Sequence, residues 1–268
     1  YITILNMSGR ICTMLGIFLL VKSPDDYILA AFLQACTPLI AGIFSIVWLR
    51  KHYTGLFKWP TIGEIINSYK EGWSIFVSSL AVNLYTATNV VVLGMLTNNV
   101  IVGYYSAADK LITCVRRGIY AVSDAIYPFI SKMMKDDISK GLQFIKKQIF
   151  LYLVVGLIGC TSLFFFSDTI VKLLFGADYN LTVDVLRILS FVPLAVAIST
   201  VFGEETMLPL NMNSAYSRTL VLAAFFSLLS IFPLCYLWGA KGVAMTMLLT
   251  EILIMIIMGG LLRKQLFQ

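Results

Sequence analysis

The sequence predicts an all-α, polytopic integral membrane protein, and three observations support this fold class. Hydrophobic residues make up 59% of the 268 residues and charged residues only 13%, whereas soluble domains contain about 25% charged residues. The mean hydropathy is +0.87. The apolar residues also form continuous stretches of about 20, the length that a helix needs to cross the bilayer core. Such long stretches without alternation favour helices over barrel strands.

Eight of these stretches are predicted to be transmembrane helices. Four of them contain no charged residue, whereas the fourth carries five and the eighth carries Glu251 alone. The sixth contains Arg187, Glu204 and Glu205, and the acidic pair is interpreted as lying in the membrane interface. The predicted spans are 1–21, 27–49, 72–96, 100–130, 149–167, 183–208, 219–240 and 242–262.

The distribution of lysines and arginines predicts the orientation of these spans. Most basic loop residues lie in the 50–71 and 131–148 loops and in the C-terminal tail, and only Lys22, Lys172 and Lys241 lie in the alternate loops. Because basic residues accumulate on the cytoplasmic side, both termini of this chain are expected to face the cytoplasm. The chain begins at Tyr1, within an apolar stretch, and we expect an N-terminal truncation.

Several local signals predict how the chain is divided. Thr61 and Glu64 have the spacing of a capping box, followed by apolar residues at helical spacing, which indicates an amphipathic helix at the membrane surface. Asp168 is predicted to cap a short helix that ends at Gly176. The prolines expected to kink or terminate helices are Pro38, Pro193, Pro209 and Pro233. The predicted division is 1–50 as the end of one helical bundle, 51–71 as a linker and 72–268 as a second bundle.

Charged residues within the fourth span are the most informative feature for function. Lys110, Arg117 and Asp124 are seven residues apart and therefore share one helical face, with Arg116 beside it. A charge in the bilayer is costly, so it is expected to face a wet cavity or a partner. A basic stripe suits a phosphate or pyrophosphate. Ion pairing with Asp109 and Asp124 is the alternative, and would make the stripe structural.

The other polar residues of the spans extend this hypothesis. The predicted cationic lumen consists of Arg10, Lys110, Arg116, Arg117 and Arg187, and the predicted polar lumen of Asn83, Asn89, Asp109 and Asp124. Acidic and basic residues within the spans balance, so charge count alone does not establish a cationic cavity. Glu251, alone in the last span, is a candidate for coupling transport to protons or sodium. Its alternative role is to pair with an arginine in a helix contact.

No enzyme or metal site is predicted. The sequence contains no nucleophile elbow, zinc-protease or phosphate-loop motif in a suitable context. The five cysteines lie singly in apolar stretches, and His52 is the single histidine. No catalytic residue, metal site or cofactor is therefore expected. Nucleic acid is not an expected partner, because no basic stretch is interleaved with exposed aromatic residues.

The stretch 72–111, GWSIFVSSLAVNLYTATNVVVLGMLTNNVIVGYYSAADKL, resembles two helices of polysaccharide-repeat flippases. These are the O-antigen, Wzx-type members of the multidrug/oligosaccharidyl-lipid/polysaccharide exporter superfamily. GYYSAADKL at 103–111, LLFGADYN at 173–180 and LPLNMNSAYSR at 208–218 carry the similarity. The resemblance implies two six-helix bundles around a central cavity. This chain would supply the last two helices of the first bundle and the complete second bundle.

The resemblance also implies a function. Such proteins move undecaprenyl-pyrophosphate-linked oligosaccharide from the inner to the outer leaflet of the bacterial inner membrane, by alternating access, for O-antigen or capsule biosynthesis. Lys110 matches the basic position of the AADKL segment, where basic residues would meet the pyrophosphate. Glu204 and Glu205 depart from the family, in which neutral residues are more common at this place. Implied partners are the lipid-linked oligosaccharide, the bilayer, a polysaccharide polymerase and a chain-length regulator.

Two alternative functions stay open at the level of sequence. A drug/cation antiporter of the same superfamily would need an acidic cavity, whereas the most charged span here is net positive. An integral-membrane polysaccharide polymerase would need catalytic residues on a sizeable outer loop, whereas the predicted outer loops are short. A lipid-linked oligosaccharide flippase, a transporter rather than an enzyme, is therefore the favoured hypothesis.

Overall fold

The computed structural model describes residues 2–23, 26–52, 60–176 and 178–267, and its backbone there is largely helical without β-strands. The predicted all-α fold is confirmed. Nine α-helices and one π-helical turn, Gly203–Met207, make up the described part. The helices are α1 (Ile2–Leu20), α2 (Tyr27–His52), α3 (Ile62–Leu96), α4 (Asn99–Asp136), α5 (Ile138–Phe175), α6 (Asn180–Leu189), α7 (Val192–Phe202), α8 (Asn213–Trp238) and α9 (Ala240–Phe267).

Five helical segments among the described residues are long and apolar enough to cross a membrane, as expected of a polytopic membrane protein. They are Gly72–Leu96, Ile138–Phe175, Asn180–Met207, Asn213–Trp238 and Ala240–Arg263. The total of eight stays a prediction. Shorter apolar helices, Ile11–Leu20 and Ile28–Phe44, lie within α1 and α2. Helix α4 is long enough but carries many charged residues along its length.

The chain divides into two compact units, residues 1–66 and 67–268. In the first unit, α1 and α2 pack against each other. Their connection is closed by Asp26, whose carboxylate accepts the backbone N–H groups of Lys22 and Ser23, both at 3.0 Å. These hydrogen bonds lower the pKa of Asp26, because they stabilise its charged form. The assignment of α1 and α2 to a first bundle stays a prediction.

The capping box predicted before α3 is confirmed. The backbone N–H of Thr61 donates to Glu64 Oε2 at 2.8 Å, and the backbone N–H of Glu64 donates to Thr61 Oγ1 at 3.4 Å. These bonds satisfy amide groups that have no partner at a helix start. The bond from the Thr61 backbone is the main cause that lowers the pKa of Glu64.

The predicted helix start at Asp168 is wrong. Helix α5 continues through this position and ends at Phe175, with Gly176 as its C-cap at φ 97°. Asp168 lies inside α5, and its carboxylate forms an i,i+4 salt bridge with Lys172 at 2.8 Å. Asp can therefore be accommodated within the helix, because its side chain has a partner one turn later.

Helices α6 and α7 form the centre of the second unit, and α5 lies at its periphery. In the most apolar window of 180–207, 72% of residues are buried, against 6% in that of α5. The exposed apolar residues of α5, such as Phe165 and Leu173, are the surface expected to face lipid. With 38 residues, α5 is about 57 Å long, so it extends beyond a hydrocarbon core of about 30 Å.

Proline divides the central segment, as predicted for Pro193. Helix α6 ends at Leu189, and α7 begins at Val192 with Pro193 in its first turn. Proline is tolerated there because the first amides of a helix have no intrahelical acceptor. Pro38 and Pro233 lie inside α2 and α8.

Two apolar clusters pack the two ends of the second unit. The first includes Leu93, Tyr105 and Leu186, and lies towards the α3–α4 connection. The second includes Ile130 and Leu262, and lies towards the α4–α5 connection. Because helices in lipid gain little from the hydrophobic effect, close packing in these clusters holds the bundle together.

Replacement of Gly242 by Ala is expected to destabilise the second unit by about 1–3 kcal/mol. Helices α8 and α9 are joined by a tight turn in which Gly239 has φ +55°, and a Cβ on Gly242 would overlap the carbonyl group of Leu234. The backbone of α8 must then move away from α9. Thermal unfolding of the full-length protein in detergent measures the effect.

Gly260→Ala is the matched control, because a Cβ at this position of the same helix meets no atom within 4 Å. This variant is expected to unfold within a few tenths of a kcal/mol of the wild type, since it adds no overlap and improves helix propensity. Equal melting temperatures for the two variants would contradict the close approach at Gly242.

Candidate functional site

A polar cavity of about 910 Å³ lies within the second unit, between α3, α4, α7, the π-helical turn, α8 and α9. Its volume is at the upper end of the range for small-molecule sites. Five charged side chains line it: Arg116, Arg117, Asp124, Glu204 and Glu251. The lining residues lie in the half of the bundle that contains the α4–α5 connection. A charged cavity in an apolar bundle is the environment expected for a transport pathway.

A buried ion pair crosses one wall of the cavity. The guanidinium of Arg116 on α4 lies 3.6 Å from Glu251 Oε1 on α9. The hydroxyl of Tyr85 on α3 donates to the same oxygen at 3.1 Å. Arg116 is 9% exposed and Glu251 3% exposed, and Arg116 Nε has no hydrogen-bond partner in the part of the chain that the structure describes. The pair therefore joins three helices and leaves donor capacity on the guanidinium.

Arg117, the next residue of α4, has a different environment. Its side chain is exposed, lines the cavity and takes part in no salt bridge among the described residues. Asp124 and Glu204 line the same cavity and lie within electrostatic range of each other. The lining thus combines two guanidinium groups with three carboxyl groups, and no salt bridge of Arg117 is found within the described ranges.

Tyrosines and hydroxyl groups complete the lining, and the sequence interpretation missed most of them. Tyr85, Tyr120, Tyr127 and Tyr216 all contribute to the cavity surface. A tyrosine combines a flat apolar ring with a hydrogen-bonding hydroxyl. The sequence signal was available on α4, where polar residues and tyrosines recur at helical spacing. That face consists of Thr113, Arg116, Arg117, Tyr120, Ser123, Asp124 and Tyr127.

The structure brings together only some of the predicted lumen residues. Of the nine, Arg116, Arg117, Asn83 and Asp124 line the cavity. Lys110 is exposed and Asp109 half-buried, and both lie outside the lining. The same holds for two further residues, Arg187, which donates to Ser167 Oγ at 3.2 Å, and the buried Asn89. The side chain of Arg10 lies outside the described residues.

The structure defines the surroundings of three acidic residues of the predicted spans, Glu204, Glu205 and Glu251. Glu204 lines the cavity and Glu205 is fully buried, whereas their placement in the membrane interface stays a prediction. For Glu251, the structure places the carboxylate against Arg116, which is the helix-contact alternative. Its role in ion coupling stays a prediction.

Comparison with known proteins places this chain among polysaccharide-related membrane proteins. A protein of Shigella dysenteriae named as an O-antigen transporter is 32% identical over 256 residues, covering 96% of this chain and 63% of that protein. One of the same name from Escherichia coli K12 is 29% identical over 260 residues, covering 95% and 61%. The chain thus spans less than two thirds of the length of these relatives. No solved structure matches it.

A more distant relative and a protein-family model also connect this chain with polysaccharide-related proteins. A protein of Haloferax volcanii named as a low-salt glycan biosynthesis flippase is 24% identical over 243 residues, which cover 90% of this chain and 50% of that protein. Residues 1–134, half of the chain, match the family described as polysaccharide biosynthesis protein. This chain therefore belongs to the polysaccharide biosynthesis protein family.

Proposed function

We propose that this chain is part of a flippase that moves an undecaprenyl-pyrophosphate-linked oligosaccharide from the inner to the outer leaflet of a bacterial inner membrane. The observation that carries the proposal is a polar cavity inside an apolar helical bundle, with Arg116 and Arg117 in its wall. The relatives named as transporters and flippases support the same class. O-antigen or capsule biosynthesis would use the product, with a polymerase and a chain-length regulator as partners.

The two arginines suit the diphosphate of such a substrate. A guanidinium group presents donors in a planar fork that matches phosphate oxygens. Arg117 has no carboxylate partner among the described residues, and Arg116 retains a free Nε donor. The hydroxyl groups of Tyr120 and Thr113, which also line the cavity, would donate hydrogen bonds to sugars and accept hydrogen bonds from them. The lipid chain would stay in the bilayer, because the cavity is polar.

The position of the cavity suits alternating access. It lies in the bundle half that holds the lysine-rich connection between α4 and α5, which the positive-inside rule assigns to the cytoplasm. The other half is filled by the apolar cluster around Leu93 and Leu186. With that orientation, the cavity would be available to the cytoplasmic leaflet and closed towards the outside. Transport would require this cluster to open while the cytoplasmic half closes.

One observation favours the drug/cation antiporter as a second candidate. Three carboxyl groups line the cavity, against two guanidinium groups. Arg116 is paired with Glu251, and the other charged residues of the lining are Arg117, Asp124 and Glu204. Resistance to cationic drugs conferred by the wild-type full-length protein would support this candidate over the flippase.

Replacement of Arg117 by Ala in the full-length protein is expected to reduce export of the lipid-linked oligosaccharide about tenfold, because one charge-assisted hydrogen bond to the diphosphate is lost. Arg117 is not part of the buried ion pair, so the variant should fold normally. The readout is surface polysaccharide per cell, together with accumulation of the lipid-linked repeat, in a strain that lacks the endogenous protein.

Lys110→Ala is the matched control, since Lys110 carries the same charge on the same helix but lies outside the cavity. It is expected to export normally. Normal surface polysaccharide in the Arg117 variant, at equal protein level, would refute the role of the cavity in diphosphate binding. An equal defect in both variants would indicate that net charge of α4 matters rather than the cavity.

A further inference from the structure

The charged residues that line the cavity are separated along α4 by the sign of their charge. The α4 part of the lining begins at Thr113 and ends at Tyr127. Arg116 and Arg117 lie near its start, and Asp124 lies near its end. Arg117 and Asp124 are seven residues apart, which corresponds to about 10.5 Å along a helix axis. The cavity therefore has a basic end at the two arginines, and Asp124 lies nearer the α4–α5 connection.

The π-helical turn adds a second carboxyl group beside Asp124. Within Gly203–Met207 the backbone bonds skip one residue more than in an α-helix, as in the bond from Leu208 N to Gly203 O at 3.1 Å. Isolated π-helical turns are frequent at functional sites. Glu204 belongs to this turn, lines the cavity and lies within electrostatic range of Asp124. Asp124 and Glu204 are called the acidic end of the cavity.

The acidic end has no basic partner in the part of the chain that the structure describes. Neither of its carboxyl groups takes part in a salt bridge there. Asp124 is exposed, so water solvates its charge and the fold does not require a basic partner. Tyr120 and Tyr216 also line the cavity, within electrostatic range of Glu204. The acidic end thus presents negative charge and hydroxyl groups to a molecule that enters the cavity.

The basic end, in contrast, has unused donor capacity. Arg116 is 9% exposed, and its Nε lacks a hydrogen-bond partner among the described residues. Buried polar groups are normally satisfied, so this donor is available to a ligand with acceptor oxygens. Arg117 beside it is exposed and forms no salt bridge within the described ranges. The anionic part of a ligand is therefore expected at the basic end.

The packing beyond the basic end decides where the rest of the substrate lies, and this step rests on the proposed function. On the other side of Thr113, α4 contributes Ile112 to the apolar cluster that fills that half of the bundle. A sugar is excluded from this cluster, because its hydroxyl groups would be buried without partners. When the diphosphate lies at Arg117, the sugars attached to it therefore extend towards the acidic end.

We propose that Asp124 and Glu204 make transport selective for repeats whose sugars next to the diphosphate carry no carboxylate. Carboxyl oxygens accept hydrogen bonds from the hydroxyl groups of a neutral sugar or from the amino group of an amino sugar. A uronic acid at the same place would bring its own carboxylate to the charge of Asp124, and such like-charge contacts suppress binding of the wrong partner. The acidic end thus combines attraction of one substrate class with repulsion of another.

The direct test is binding of two matched probes by the purified full-length protein in detergent. The probes are short-chain polyprenyl diphosphates that carry either glucose or glucuronic acid, so they differ only in the oxidation state of one sugar carbon. The wild type is expected to bind the glucose probe at least about tenfold more tightly, because one like-charge contact is avoided. Isothermal titration calorimetry measures both dissociation constants.

The double variant Asp124→Asn/Glu204→Gln is expected to bind both probes about equally, because it gains affinity for the glucuronic acid probe. Its amide groups keep the size of the side chains and still accept hydrogen bonds. Asp124→Asn alone should also lower the preference, and it tests the proposal if the double variant fails to fold, since exposed positions tolerate substitution. Asp136→Asn is the matched control, because Asp136 is exposed on the same helix but lies outside the cavity lining. It should retain the preference.

Equal binding of both probes by the wild type, or an unchanged preference in the double variant, would overturn the proposal. If Arg117→Ala nevertheless lost affinity for the glucose probe, the proposed function would stand without the selectivity. Binding of neither probe by the wild type, or normal binding of the glucose probe by Arg117→Ala, would contradict the proposed function and the selectivity with it.

Export in cells provides a second measurement. The host strain lacks its own flippase and makes a repeat with a uronic acid next to the diphosphate. The full-length wild type is expected to give little surface polysaccharide there, and the double variant about tenfold more. A strain with a neutral repeat shows that both proteins are expressed and active. Equal export of the acidic repeat by the wild type and the double variant would overturn the proposal.

Discussion

Replacement of Glu251 by Ala is expected to lower the free energy of unfolding of the full-length protein by about 3–5 kcal/mol. The variant leaves the Arg116 guanidinium buried without its carboxylate at 3.6 Å, and an uncompensated buried charge is among the most destabilising changes in a protein. It also removes the acceptor of the Tyr85 hydroxyl. Denaturant or thermal unfolding in detergent, with the equilibrium tested for reversibility, measures the effect.

Tyr85→Phe is the graded control for this prediction. It deletes one hydrogen bond to a charged group and leaves the ion pair in place, so a loss of about 1.5–3 kcal/mol is expected. The order of stability should therefore be wild type, then Tyr85→Phe, then Glu251→Ala. If Glu251→Ala were as stable as Tyr85→Phe, the ion pair between Arg116 and Glu251 would contribute no more to stability than the hydrogen bond from Tyr85 does.

Simultaneous replacement of Arg116 by Met and Glu251 by Leu is expected to reduce transport while it leaves the stability of the protein nearly unchanged. Apolar residues of similar volume often replace a buried ion pair without loss of stability, because neither charge must then be desolvated. The double variant should unfold near the wild type. Its export of the lipid-linked oligosaccharide should nevertheless fall about 10-fold to 150-fold, since a diphosphate loses the Arg116 donors.

The pair formed by Lys241 and Asp184 provides a matched control for the double variant. It also joins α9 to another helix, with Nζ and Oδ2 2.7 Å apart, but both side chains are more than 40% exposed. Such a pair contributes about 0–1 kcal/mol. Replacement of both residues by apolar ones should change neither stability nor export substantially. Normal export by the Arg116/Glu251 double variant would show that these charges serve folding alone.

The helical architecture could be predicted from local patterns because it depends on them. Long apolar stretches require helices in lipid, and the capping box at Thr61 and Glu64 marked the start of α3. Pro193 marked the break between α6 and α7, because proline has no backbone N–H to donate to a hydrogen bond within the helix. Asp168 shows the limit of such reasoning. Its carboxylate could have capped a new helix, but it forms a salt bridge with Lys172 within α5 instead.

The candidate site was only partly predictable, and Lys110 and Arg117 show why. They are seven residues apart on α4 and share a face to within about 20°, so the periodicity treats them alike. The cavity extends along only part of that face, and its limit is set by which residues of other helices, such as α7 and α9, pack against α4. Periodicity along one helix contains no information about its neighbours.

The sequence by itself determined that this chain is helical, belongs in a membrane, and carries more charged residues in one predicted span, 100–130, than in any other. Only the tertiary structure decided the partner of each charge: Glu251 with Arg116, Glu204 in the cavity wall, and Glu205 among neutral polar groups. The physical reason is the sequence separation over which each kind of interaction acts. Hydrophobicity and capping act within a few residues of one helix, whereas burial and pairing of a charge depend on side chains dozens of positions away or more, as Arg116 is from Glu251.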